Sequence, residues 1–127
     1  MQDVTFAVND AGLAMKVNNI RARRTGAGMP RMILTRALLA AGSIPEAVSI
    51  LRANPRMGAF HLGLGQTGES QTWSVEFSRA AVSVRPVSHT PMMHANHALH
   101  GAQADLPQVI TDSSARRQAR GEELLAQ

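Results

Sequence analysis

The chain contains no cysteine and no tyrosine, and one tryptophan stands among its 127 residues. Without cysteine, disulfides, thiolate-bound zinc and a thiol nucleophile are all excluded from these residues. The same absence fits a reducing compartment, and a cytoplasmic protein is expected. Phe6, Phe60, Trp73 and Phe77 are the whole stock of Phe, Trp and Tyr, so Leu, Ile, Val, Met and Ala must build the core. The seven methionines fill such a core adaptably but specify its packing weakly. No apolar run approaches the roughly 18 residues that a membrane helix needs, so no membrane partner is expected. Met1-Gln2-Asp3 opens the chain without the basic and apolar stretches of a secretory signal. Lysine is nearly absent as well. Lys16 stands alone among thirteen basic residues, against nine acidic ones, for a net charge of +4. Arg21-Ala22-Arg23-Arg24 carries enough charge to meet phosphates or an anionic substrate. Nucleic-acid grooves usually pair such charge with stacking aromatics. None lies near this run, so it reads as solvated surface, and no nucleic-acid partner is expected.

What is present suits one domain of residues 1–127 with a true core. Val4 to Val8 reads as a strand, Asn9-Asp10-Ala11-Gly12 as a turn, and Leu13 to Val17 as the returning strand of a hairpin. Asn18 to Met29 reads as a loop. Its Thr25-Gly26-Ala27-Gly28 lacks the Lys-Ser or Lys-Thr pair of a phosphate-binding loop. Pro30 is predicted to open a helix whose stripe is Ile33, Leu34, Ala37, Leu38 and Ala41, with Gly42 stopping it. Ser43-Ile44-Pro45-Glu46 is a capping box for a second helix to about Ala53, with Ala47, Val48 and Leu51 inward and Asn54-Pro55 ending it.

Strand patterning returns at Phe60 to Leu64 and at Thr72 to Phe77, around a loop at Gln66–Ser70. Along the second of these, Trp73, Val75 and Phe77 share one face, and Ser74 and Glu76 the other. Ala81 to Arg85 reads as a further strand and Met92-Met93-His94 as a short one. A loop then leads to a helix from Ser113 to Ala126, with Leu124 and Leu125 as its apolar side. Hairpin, helix pair, strands and helix, without regular alternation, give an α+β fold with helices packed on an antiparallel sheet.

The densest polar cluster is His89, His94, His97 and His100. Neutral imidazoles bind zinc, but these lie in one short stretch with no second anchored group of Asp, Glu or Cys. No metal and no other cofactor is expected.

His94-Ala95-Asn96-His97 resembles the His-Thr-Asn-His motif of the isopenicillin-N acyltransferase family of N-terminal-nucleophile hydrolases. The resemblance extends in order along the chain. It takes in Val8-Asn9-Asp10-Ala11-Gly12-Leu13-Ala14, Asn18, Gly28-Met29-Pro30 with Arg36, and Pro45-Glu46-Ala47. It continues through Gly65, Trp73, Glu76-Phe77-Ser78 and Asp112-Ser113-Ser114-Ala115-Arg116. It implies part of an αββα sandwich in which an N-terminal Cys attacks an amide or thioester of a small acyl substrate. It also implies that Asn96 helps form the oxyanion hole. Ala95 stands where the family has Thr. The Cys that the resemblance requires is not among these residues. The chain is therefore expected to be an interior portion of such an enzyme, inactive alone, with open sheet edges that favour homo-oligomers. The alternative is a non-catalytic domain of the same fold that binds a small ligand or assists assembly. The substrate-binding residues are not legible.

Overall fold

The computed structural model describes residues 5–87 and 91–127. Five strands form one antiparallel sheet in the order β1-β2-β3-β4-β5. They are β1 (Phe6–Val8), β2 (Leu13–Ile20), β3 (Ala59–Gln66), β4 (Thr72–Phe77) and β5 (Val82–Val87). Between β2 and β3 the chain makes α1 (Arg31–Leu38) and α2 (Ile44–Ala53), and it ends in α3 (Asp112–Leu125). The fold is α+β, as the sequence pattern predicts. The first two strands meet at Gly12, whose φ of 78° is a backbone state that glycine adopts without strain. Asn9 fixes the same turn: its Oδ1 accepts from Leu13 N, while its Nδ2 donates to the carbonyls of Leu39 and Ala41.

The period-2 alternation of the strands divides the sheet sharply. Met15 pairs with Leu64 and Val17 with Leu62. Leu62 pairs in turn with Val75, and Val75 with Val84. These side chains form one apolar face, against which Leu34, Leu38, Ala47 and Leu51 of the helix pair are fully buried. Lost contact with water over this interface is the main stabilising contribution. The opposite face carries Asn18 beside His61, His61 beside Glu76, and Glu76 beside Ser83 across four strands. The next row is Lys16, Gly63, Ser74 and Arg85. This polar face is not left to solvent, since Ser74 and Glu76 are completely buried.

Several element boundaries differ from the sequence reading. Strand β2 runs on to Ile20, because Asn18 and Asn19 pair with His61 and Phe60; sheet neighbours override the poor strand propensity of asparagine. Pro30 caps α1 rather than opening it, with φ −58° and ψ 147°. Ile33 points outward and Thr35 inward, its hydroxyl satisfied by the Arg31 carbonyl at 3.0 Å. The Arg31 guanidinium lies 5.1 Å over the Phe60 ring, a cation–π contact at the start of α1. The helix ends at Leu38 without a left-handed residue; Gly42 does not have positive φ.

Strand β5 continues through Pro86 to Val87, tolerable at a sheet edge where no ladder N–H is needed. Met92-Met93-His94 is not a strand. It is held instead by Gln118, which donates to the Met93 carbonyl and accepts from Ala95 N. Helix α3 is attached through buried Ser114 and Gln118, while Leu124 and Leu125 are exposed. Val4, the first residue assigned to the opening strand, and His89 lie outside the described residues.

Candidate functional site

The segment 91–111 crosses the polar face of the sheet and is held there by side chains from strands and helix together. Asn18 of β2 donates to the His94 carbonyl at 2.7 Å and more weakly to that of Ala95. Glu76 of β4 reaches the same segment: its Oε1 accepts from Leu99 N at 2.6 Å and its Oε2 from His100 N at 3.0 Å. His94 Nε2 lies 2.8 Å from Glu76 Oε1, and His94 Nδ1 lies 2.9 Å from the Ala95 carbonyl. Both ring nitrogens thus face acceptors, and the pair is ionic when both carry hydrogens. Burial pushes the Glu76 carboxyl up, but the hydrogen bonds from His94, Leu99 and His100 outweigh it and hold the group below its usual range.

A second polar chain runs beside this pair. His61 Nε2 lies 2.9 Å from Ser74 Oγ, and Ser74 Oγ lies 2.9 Å from His100 Nε2. His100 Nδ1 then meets Ser83 Oγ at 2.9 Å. The rings of His61 and His94 stack at 3.5 Å, 9° from parallel. Burial, followed by the neighbouring His94, lowers His61 to about 3, so its imidazole is neutral across ordinary pH. Burial also lowers His97 and His100.

Asn96 occupies the end of the array nearest α3. Its backbone N–H donates to Ser114 Oγ at 2.9 Å, the same hydroxyl that meets His97 Nδ1 at 2.8 Å. Its side-chain amide is fixed from both ends. Arg117 Nη2 donates to Asn96 Oδ1 at 2.9 Å, and Asn96 Nδ2 donates to the Asn19 carbonyl at 3.1 Å. A cationic donor on one side and a carbonyl on the other leave one sensible orientation for the amide.

Beside Asn96 the polar face opens into a groove of about 610 Å³. Its floor includes Gly63 and Gly65, where an added Cβ would meet nothing closer than 3.7 Å, so these glycines hold space open rather than relieve strain. Lys16, His61, Asn96 and Met92 are among its walls.

Of the four clustered histidines, the structure brings His94 and His100 to Glu76 and gives His97 to Ser114. His61 joins them from a distant strand, and the sequence reading missed it. The signal was there: His61 shares its strand face with Gly63 and Gly65 by simple alternation, opposite the apolar Leu62 and Leu64. Among the described residues, no three His, Cys, Asp or Glu side chains are grouped to hold a metal ion. Nor is any helix among them long and apolar enough to cross a membrane.

These features define the class: an α+β domain whose sheet buries hydrocarbon on one face and a hydrogen-bonded histidine–carboxylate array on the other. The family model of the acyl-coenzyme A:6-aminopenicillanic acid acyl-transferases matches residues 1–127, and the chain belongs to that family. No curated protein matches it.

Proposed function

We propose that these residues supply the oxyanion-stabilising part of an acyl-transfer site for the amide or thioester bond of a small acyl substrate, with Asn96 as the donor. Membership of an acyltransferase family supports the reaction class. The observation that carries the residue assignment is the clamped amide of Asn96 on the wall of the groove. An amide nitrogen has two hydrogens. The Asn19 carbonyl takes one, and the second is assigned to the oxygen that becomes negative when the acyl carbon turns tetrahedral. A donor held before the reaction stabilises that charge without reorganising, which is why such groups contribute strongly to catalysis.

Attack itself needs a nucleophile, and no cysteine is present in the 127 residues. The reading assigns it to an N-terminal thiol on a separate family segment, with its own amine as base. The 127-residue chain alone should therefore show no turnover of acyl amides or thioesters. Joined to a thiol-bearing family segment, it should transfer or hydrolyse acyl groups. In that protein Asn96→Ala should lower kcat by about 10²–10³-fold with the fold retained. Turnover by the chain alone would reveal a nucleophile among its Ser, Thr or His residues. Full activity of Asn96→Ala would remove Asn96 from the oxyanion hole.

A further inference from the structure

His61 is 4% exposed and lines the groove, yet its Nδ1 is a buried atom that finds no partner among the described residues. An unpaired polar atom in such a place normally costs stability. Here it lies at one end of an unbroken chain of hydrogen-bonding groups: His61, Ser74, His100 and Ser83, each link 2.9 Å long. Ser83 at the far end is only half-buried.

The chain can be ordered in two ways. In the first, His61 Nε2–H donates to Ser74, the Ser74 hydroxyl donates to His100 Nε2, and His100 Nδ1–H donates to Ser83. His61 Nδ1 is then bare and accepts. In the second, every bond is reversed, and His61 presents Nδ1–H as a donor. Ser74 enforces the coupling. It is 1% exposed and has one hydrogen to share between two imidazole nitrogens. Two bare nitrogens would leave one of them unsatisfied. Two protonated ones would leave the serine hydrogen without an acceptor.

We propose that His61 is the groove's proton-handling residue, exchanging a hydrogen with the bound ligand while the Ser74–His100–Ser83 chain carries the matching hydrogen to solvent. The balance is simple. A ligand N–H or S–H bond breaks as His61 Nδ1–H forms. His61 Nε2–H passes to Ser74, the Ser74 hydrogen to His100 Nε2, the His100 Nδ1 hydrogen to Ser83, and the Ser83 hydrogen to water. One proton leaves the ligand, one enters solvent, and both rings remain neutral between steps. The depressed basicity of His61 suits this route, which never requires a buried imidazolium at that ring. The occupant it fits is an acyl-chain molecule, its hydrocarbon beside Phe6, Met92 and Met93 and its hydrogen-bonding head at His61.

As a step in catalysis this rests on the acyl-transfer reading, but its test does not. Nitrogen NMR of the imidazoles in the 127-residue chain reads which ring nitrogen bears hydrogen. His61 and His100 should hold opposite tautomers in every condition. Sodium hexanoate, whose head only accepts, should shift His61 toward Nδ1–H and His100 toward Nε2–H together. Hexylammonium chloride, whose head only donates, should shift both rings the other way. In Ser74→Ala, checked for folding by thermal melt, His61 should respond to the two probes without His100. Matching tautomers in the two rings would overturn the relay. So would tautomers that neither probe shifts, or a His61 response in the parent chain that His100 does not follow. Loss of acyl transfer in the thiol-bearing protein would count against the proposed function alone.

Discussion

Glu76 shows why single residues matter on the polar face. Its carboxylate meets one imidazole and two backbone N–H groups while having no exposure to water. Each bond replaces hydration that burial removed, so the array is stable only when complete. Glu76→Gln keeps the size but substitutes a neutral oxygen and an NH₂ donor for two charged acceptors. One of the three donors must then lose its partner or face another donor. The expected loss is about 3–5 kcal/mol, the usual cost of breaking a buried, hydrogen-bonded pair. Urea unfolding of the variant measures it, and a loss below about 1 kcal/mol would mean that the array adds little to folding. The glycine floor is a residue-scale matter of the opposite kind. Gly63 has a Cβ position with no neighbour nearer than the Lys16 Cβ at 4.0 Å, so its smallness serves the groove rather than the backbone.

At the scale of elements, α2 shows local sequence and tertiary packing in agreement. Ser43 Oγ accepts from Glu46 N at 3.3 Å, and the Glu46 carboxylate accepts from Gly42 N at 2.8 Å, one residue earlier than the usual reciprocal box. The C-terminus of α2 is closed by Arg56, whose Nη1 donates to the carbonyls of Leu51 and Asn54 and whose Nε donates to that of Ser78. These contacts tie the helix to the end of β4. Ser43→Ala should cost about 1 kcal/mol, the typical value of an N-cap serine. A denaturation midpoint equal to that of the parent would show that the Glu46–Gly42 bond suffices. Helix α3 contrasts with α2. Thr111 Oγ1 caps it by accepting from Ser114 N, but its buried contacts are Ser114 and Gln118, hydrogen-bonded to the segment that carries Asn96. Its role is therefore positional as much as structural: it delivers Arg117 to the Asn96 amide.

For the molecule as a whole, the buried histidines set the acid response. His61, His97 and His100 all have folded values below the unperturbed 6.5, with burial as the leading cause. As pH falls below about 6.5, the unfolded chain takes up protons that the folded chain refuses, so stability is lost. For His61 that loss continues down to about 3. Glu76, held below its usual range, acts in the same direction: it contributes stability above its unfolded value and loses it as pH falls through its folded one. Stability measured by urea should therefore be flat above about pH 7 and should fall steadily on acidification. A midpoint unchanged between about pH 8 and pH 5 would contradict the burial of these imidazoles.

The sequence by itself determined the five strands and three helices, apart from their boundaries and a strand at Met92-Met93-His94 that does not form, and one face of the sheet. Alternation placed Trp73, Val75 and Phe77 together, and the Ser43–Glu46 pattern began α2, because backbone periodicity and capping act over a few residues. The motif around Asn96 was legible as a resemblance. Tertiary structure alone decided that the other face would also be buried. His61 and Ser74 lie 13 residues apart, Ser74 and His100 lie 26 apart, and Asn96 and Arg117 lie 21 apart. No local rule pairs residues at such distances. Their partnership follows from strand register and from the path of the segment 91–111 over the sheet. Ile33 and Thr35 make the same point in α1: a helical stripe defines a face, but only contact with the sheet selects which edge of it turns inward.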